Sequence, residues 1–381
     1  MAGVIKKRRE LLATMREYTL ENGFFTINDI ADATDIARST IQDWINRLVT
    51  EKCVAVKEEG KGRTPAKYVT TNVMMAGSCR RIFTTIDKDW VHIYHQCMST
   101  GCAAFCEHHH RLAGGVIHDV RRDGRILIEC ARLGTASSDI GLYPKPAVGV
   151  TEVRKEGEHI VQTIRCVGGP AYSLTDMMAM AVGVCDVRLT KNGMITEGEV
   201  VTQALTHLVI GLDDTDTKEG GATFALALGL LHYLANMREV IPIGHAVAML
   251  YPYLHECTAG NSCSFIEIAV RPEAVDHVIE RAVRFIEAES LSREWGLAVK
   301  RGFIISEPLR RFGLAARKQV VTAEMASAAA NSENIRVFGG KGKIGAIAAI
   351  GLSREDNAIL LNPNDSPDSE SDLSAPFSGI S

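Results

Sequence analysis

Three carboxylates within four residues, Asp213, Asp214 and Asp216, follow the apolar run 208–212 in the stretch HLVIGLDDTDTKEGGATFALALGLLHYL, residues 207–234. The run reads as a buried strand, and the apolar segment from Thr223 onward as a helix. Carboxylates this close raise one another's pKa unless a cation neutralises them. Mg2+ takes oxygen ligands and commonly joins one or two carboxylates to substrate phosphates. The glycine pair Gly220 and Gly221, within KEGGAT, can bring backbone N–H groups to a phosphate at a helix start. Strand end, acidic metal site, glycine turn and helix N-terminus form a coherent nucleotide site, with Asp213, Asp214 and Asp216 as its metal ligands. The plainer alternative is a solvated strand-to-helix turn capped by Thr217 or Asp216. No GxxxxGK(S/T) phosphate loop stands at a useful place.

A second group able to do chemistry lies in YHQCMSTGCAAFCEHHHRL, which holds Cys97, Cys102, Cys106 and the histidines 108–110. Three thiolates completed by a histidine or by the more distant Cys79 suit tetrahedral Zn2+ or an iron–sulfur cluster. The C-x4-C-x3-C spacing is not the tight C-x2-C pair of a zinc ribbon, and buried cysteines in a small-residue turn, or redox thiols, fit it too.

The elements that must position these groups fall into four regions. Over residues 1–70 the pattern predicts a helix at 8–21, a second after Thr26 as N-cap with Ile27, Ile30 and Ala31 on one face, and a third carrying Ile41, Ile45, Leu48 and Val49. Two strands, CVAVKEE and AKYVTT, flank the loop GKGRTP. Three helices and a basic two-stranded wing resemble a winged helix-turn-helix. Arg38, Ser39, Thr40, Gln42 and Arg47 on the third helix, with Lys61, Arg63 and Lys67 on the wing, are the candidate nucleic-acid contacts. Trp44 reads as packing. The region carries 12 Lys and Arg against 10 Asp and Glu, a net charge of only +2. Its grip on nucleic acid would be modest and salt-sensitive, and a protein-docking role stays open.

The middle, 71–205, is mixed α/β, with strands expected at GRILIECARLG and EHIVQTIRCVG and a helix at SLTDMMAMAVGVC. Residues 206–352 alternate strand and helix signals. In that part Arg310, Arg311, Arg317 and Lys318 make either a phosphate contact or a solvated face. Residues 353–381, rich in Asp, Ser and Pro, read as a disordered tail. Across the 381 residues, 46% apolar content fills two or three cores, and a net charge of −4 excludes a global basic field. No apolar run reaches the roughly 18 residues of a membrane helix, and ten scattered cysteines do not read as a disulfide framework. A cytoplasmic location without membrane contact is expected; the oligomeric state is not legible.

The stretch IGLDDTDTKEGGATFALA resembles the opening motif of the archaeal tRNA-isoleucine agmatinylcytidine synthetase family. LYPYLHECTAGNSCSFIEI is similar to that family's proline-containing segment ending in Thr-x-Gly-Asn, and GGKGKIGAIAAIGL to its glycine turn and following helix. The three stretches keep the family's order over 208–352. The resemblance implies a kinase-like domain binding ATP and Mg2+ through Asp213, Asp214 and Asp216, with Gly220, Gly221, Gly340 and Gly342 at the nucleotide. It also places the family's autophosphorylated threonine on Thr223, making Asp214 and Thr223 the catalytic candidates. The oligonucleotide-binding barrel and zinc ribbon of that family are not read after Leu352, so the resemblance implies the ATP module and leaves the tRNA substrate open. The arrangement also resembles the archaeal methanogenesis marker protein 11 family, which supplies a lineage and no mechanism.

The expected fold is α+β and multidomain: a winged helix-turn-helix, then mixed α/β layers including a kinase-like nucleotide-binding domain. The expected function is an Mg/ATP-dependent enzyme with an unknown acceptor. The rival is a DNA-binding transcriptional regulator whose C-terminal half senses a nucleotide or metabolite.

Overall fold

The computed structural model describes residues 2–62, 64–71, 79–168, 178–179, 181–254 and 260–355. Helices α1 (Ala2–Asn22), α2 (Ile27–Thr34) and α3 (Arg38–Thr50) precede an antiparallel pair, β1 (Val54–Glu58) and β2 (Lys67–Thr70). Thr26 begins α2 through a capping box. Its hydroxyl accepts the Asp29 N–H (3.3 Å), and the Asp29 carboxylate accepts the Thr26 N–H (2.7 Å). The helical spacing of Ile41, Ile45 and Leu48 puts all three against Leu11, Met15, Phe25 and Ile30 in one small core.

The middle of the chain builds β3 (Cys79–Asp87), β4 (Trp90–Cys97), α4 (Thr100–Ala113), β5 (Ile117–Asp123) and β6 (Ile126–Arg132). After these come β7 (Gly134–Thr135), β8 (Val148–Glu156), β9 (His159–Val167), β10 (Val184–Asn192) and the long β11 (Ile195–Asp213). The helix expected at 173–185 is corrected at its end. Residues 173–177 and 180 lie outside the described residues, whereas Val184 and Cys185 open β10, a strand paired with β11.

Strand β11 is the spine. Its first half pairs with β10 and β9, residues 204–206 run parallel to β3, and its last eight residues lie between β13 (Ser262–Val270) and β14 (Gly296–Arg301). The boundary expected at 205/206 therefore falls inside one continuous strand. The C-terminal part adds α5 (Thr223–Ala235), β12 (Val240–Met249), α6 (Val275–Glu289), α7 (Glu307–Lys318), α8 (Ala323–Ser332), β15 (Arg336–Gly339) and α9 (Lys343–Gly351). Its antiparallel strands lie in the order β12-β13-β11-β14-β15. Two interlocked split β-α-β units produce that order, with α5 and α6 as the crossovers. Alternation along β11 assigns the two faces. Leu208, Ile210 and Leu212 pack with α5 and α6, whereas Val209 packs on the side of α7, α8 and α9.

Residues 353–355, expected in the tail, pack against the fold. Ser353 is buried, Arg354 pairs with Glu267 on β13, and Glu355 pairs with Arg310; residues 356–381 lie outside the described residues. Among the described residues no helix is long and apolar enough to cross a membrane.

Candidate functional sites

The stretches singled out in the C-terminal half meet at one edge of the sheet. Asp213 is the last residue of β11 and lies opposite Gly296, the first of β14. The turn between β12 and β13 is at the same edge, because Ser264 of β13 faces Leu212. There Asn261 Nδ2 donates to the Tyr251 carbonyl (2.7 Å). Thr258, the threonine of the Thr-x-Gly-Asn segment, lies outside the described residues. The third stretch closes the edge from above. Gly340 and Gly342 donate their N–H groups to the carbonyls of Trp295 (2.7 Å) and Glu294 (2.8 Å). Those two amides are thus engaged within the loop. A Cβ on Gly342 would stand 2.6 Å from the Asp213 carbonyl oxygen, so glycine here permits close packing. Lys341 and Lys343 are exposed at this turn.

Within the acidic turn each residue has a distinct task. Asp214 adopts a left-handed backbone, φ 54°, which Asp and Asn tolerate better than other non-glycine residues. Its N–H donates to Asp213 Oδ1 (2.8 Å). The Asp213 carboxylate lies against Gly345 in the first turn of α9. Burial of that carboxylate, reinforced by the charges of Asp214 and Asp216 and opposed by the Asp214 N–H, pushes its pKa up to about 8. Although Asp213 as a residue is partly exposed, its carboxylate is enclosed, and the carboxylate governs titration. A cation at this edge would pull the value back down.

Thr223, the first residue of α5, is buried. Its Oγ1 donates to Asp216 Oδ1 (3.1 Å) and accepts from the Thr215 N–H (3.3 Å) and the Thr215 hydroxyl (3.1 Å). Sequence reading missed Thr215, whose carbonyl anchors the neighbouring loop by accepting from Leu291 N (3.0 Å) and Ser290 Oγ (3.2 Å). It also missed Gly345 and Glu294; a glycine one turn into an apolar helix gives no sign of what it packs against. Thr217 and Gly220 exchange backbone hydrogen bonds in a tight turn, and Gly221 follows at φ 89°. Among the described residues no three His, Cys, Asp or Glu side chains are grouped so as to hold a metal ion. The expected triad of aspartate ligands is therefore not assembled, and nor is a cysteine triad; a Mg2+ shared by one or two carboxylates and a phosphate needs no triad.

The cysteine-bearing segment splits between two elements. Cys97 ends β4, and Cys102 and Cys106 lie one turn apart on α4. Cys79, at the start of β3, is the ladder partner of Cys97. The Cys97 thiol is hydrogen-bonded to Cys79 and Cys102, and the Cys106 thiol to Cys102. Of the three histidines, His110 alone is buried, paired with the fully buried Glu129.

At the N-terminus Arg38, Ser39, Thr40 and Arg47 are exposed along α3. Gln42 is tied to Asn46 (2.9 Å), and the Arg47 guanidinium lies 5.3 Å from the Trp44 ring centre. Lys61 is exposed, and Arg63 lies outside the described residues. Lys67 is less available than expected: it pairs with Glu58 (2.9 Å) and covers the Phe24 ring. Farther along, Arg310 and Arg311 are ion-paired with Glu355 and Glu307.

No family model matches the chain. It is 30% identical over 259 residues to the uncharacterized protein MJ0921 of Methanocaldococcus jannaschii, a match covering 62% of this chain and 84% of that one. It is 31% identical over 151 residues to the tRNA 2-agmatinylcytidine synthetase TiaS of Pyrococcus horikoshii, covering 38% of this chain and 35% of the synthetase. The shared part thus spans about a third of that enzyme's length. The crystal structure of apo TiaS superposes with a TM-score of 0.35 at 23% identity, over 39% of this chain and 36% of that one. The crystal structure of TiaS in complex with tRNA and ATP gives the same TM-score over 40% and 37%.

Proposed function

The chain belongs to the family of the Methanocaldococcus jannaschii protein MJ0921, and on that premise we propose that the sheet edge ending at Asp213 binds ATP with Mg2+. The reading is that of an ATP-dependent enzyme related to the catalytic core of the tRNA agmatinylcytidine synthetase, with a kinase-like nucleotide-binding region at 206–352. The observation that carries it is convergence. Stretches centred on residues 214, 261 and 342, far apart in sequence, meet around one acidic strand end. The partial identity to an enzyme whose structures include an ATP complex supports the same reading.

Bound ATP with its metal would supply the transferable phosphoryl group. The chain's own residues divide the remaining work. Asp214, with Asp213 or Asp216, would offer carboxylates to the metal; the turn carrying Gly220 and Gly221 would hold the phosphates; Lys341 and Lys343 would offer cationic side chains. Thr223 is the acceptor hydroxyl, and Asp216, already accepting its hydrogen bond, is placed to receive its proton. Because Thr223 is buried, its phosphorylation requires the turn at 217–222 to lift.

Asp214→Asn is the sharpest test. Asn tolerates the left-handed backbone at this position as Asp does, so the substitution removes charge and spares the turn. Calorimetry should show Mg-ATP affinity falling about tenfold or more, roughly 1.4 kcal/mol. Unchanged affinity removes the nucleotide site. Label from the γ-phosphate should appear on the wild-type chain and vanish in Thr223→Ala. Binding without label or phosphate release would favour the rival, a transcriptional regulator that senses a nucleotide or metabolite.

In this reading residues 1–70, three helices followed by an antiparallel strand pair, act as a winged helix and contact duplex nucleic acid in a cytoplasmic setting, a reading supported by the exposure of Arg38, Ser39, Thr40 and Arg47 on α3. Removing the Lys61 and Arg63 charges should weaken binding to all sequences alike and flatten the salt dependence by roughly one unit per lost phosphate contact. A chain that binds no duplex even at low salt would make this region a protein-docking module.

A further inference from the structure

Among the described residues the large sheet has open edges at β5, β7, β10, β12 and β15. An unpaired strand edge is a template for further pairing, and charge, brevity or a bulge normally blocks it. β7 has two residues and β15 has four; β5 carries Arg121 and Arg122, and β10 carries Asp186, Arg188 and Lys191. β12 differs. Its ten residues, Val240–Met249, include no Asp, Glu, Lys or Arg. It pairs with β13 alone among the described residues, and residues 243–247 are half-buried. Pro242 and the bulge between Pro242 and Gly244 protect only its start. From Gly244 to Met249 the ladder with β13 is regular.

The helix beside that edge has the same character. α5 also lacks any Asp, Glu, Lys or Arg, and a helix that is apolar all round is normally buried all round. Its sheet side packs through Ala227, Leu230 and Leu234. A second flank meets α6, where Tyr233 stacks on Phe285 with ring centres 4.9 Å apart. The flank away from α6 carries Phe224 and Leu228, one turn apart and 52% and 39% exposed. As the crossover from β11 to β12, α5 covers the β12 side of the sheet, whereas α6 leads to β14. Phe224 and Leu228 therefore lie on the flank above the open edge of β12. Val247 is on the same face of the sheet: it lies opposite Ser264, which lies opposite Leu212, packed beneath α5 and α6. α5 starts at the acidic edge, near the end of β12. A helix rises about 1.5 Å per residue and a strand about 3.3 Å, which brings Leu228 close to the level of Val247.

We infer that the outer edge of β12 and the α5 flank at Phe224 and Leu228 bind a second copy of this chain. The two β12 strands pair antiparallel about a two-fold axis and join the sheets β12-β13-β11-β14-β15 of both copies into one. Symmetry and charge favour a second copy over a foreign strand. An antiparallel edge is self-complementary under a two-fold, and the pairing closes without leaving a new edge on that side. The register that stays within the regular stretch is centred on Val247. It sets Val247 against its twin, Ala246 against Ala248 and His245 against Met249. No like charges meet, because the strand carries none, and burial lowers the pKa of His245 and keeps it neutral. Backbone hydrogen bonds hold the seam, and Phe224 and Leu228 of both copies cover it. The two acidic edges come to lie at opposite ends of the joined sheet, so the pairing does not depend on the nucleotide reading.

Sedimentation velocity on the full-length chain at micromolar concentration should give twice the chain mass. Leu228→Lys should raise the dissociation constant about a hundredfold or more, because two lysines then meet beside the two-fold axis. The single chain should still fold, since Leu228 is open to solvent in it. Leu228→Glu should dissociate likewise, and an equimolar mixture of the two variants should recover the dimer. Leu189→Lys, on the open edge of β10, should stay dimeric. If the Leu228 variants do not fold, hydrogen exchange of the wild-type chain decides: the amides of 244–249 should be protected in the dimer and lose protection on dilution. A monomeric wild-type chain, an unchanged dimer in folded Leu228→Lys, variants that fail to recover each other, or exchange at 244–249 that ignores concentration would each overturn the proposal.

Discussion

Glu267→Gln is expected to destabilise the protein by about 1–3 kcal/mol at neutral pH, because it leaves the partly buried Arg354 without its counter-charge. The carboxylate on β13 accepts from His207 Nε2 (2.9 Å) and pairs with Arg354. Burial works against its charged form, but Arg354 and the His207 hydrogen bond outweigh burial and hold Glu267 well below the usual carboxylate range. Burial also lowers the pKa of His207, so the histidine acts as a neutral N–H donor and Arg354 is the cation of the group. The sign of the pH dependence follows. A carboxylate whose folded pKa is depressed gives stability that is present above its unfolded value, near 4.5, and lost as pH falls below it. Urea unfolding of the two proteins should therefore show a wide stability gap at pH 7 that narrows through the acid range. A gap of constant width would mean that Glu267 is held by packing and not by charge.

Gly345→Ala should abolish nucleotide binding and cost about 1–3 kcal/mol through overpacking. A methyl group on Gly345 would overlap Oδ2 of Asp213 and crowd its Cβ (2.9 Å). Either the carboxylate swings off the Asp214 N–H or α9 shifts outward, and both outcomes dismantle the strand end. Calorimetry with Mg-ATP and a thermal melt together separate the possibilities. Full affinity in a folded Gly345→Ala protein would show that the Asp213 position is not needed for binding.

Local chemistry made some elements readable. The Thr26 capping box, the period of Ile41, Ile45 and Leu48, and the apolar run 208–212 each carry their pattern in adjacent residues, and each forms as expected. The acidic turn was visible because like charges at a strand end are physically costly. What stayed hidden depends on contacts between distant residues. Nothing local links Asp213 to Gly345, and nothing in ILIECAR shows that Glu129 would be buried between His95 and His110. The Arg354–Glu267 pair was missed because composition alone assigned residue 354 to a polar tail, and its partner lies far back in the chain on β13. The surroundings of Lys67 were hidden for the same reason: its charge alone did not show that it pairs with Glu58 and lies over Phe24.

Strand β11 runs unbroken from Ile195 to Asp213 through both halves of the large sheet. Its backbone is held by β9 and β10 at one end and by β13 and β14 at the other. Cutting the chain at the apparent boundary between regions would leave each fragment with a frayed central strand and open ladder edges, a template for aggregation. The two halves should consequently melt as one cooperative unit, and a fragment carrying the acidic edge alone must begin upstream of Thr206 to retain its scaffold.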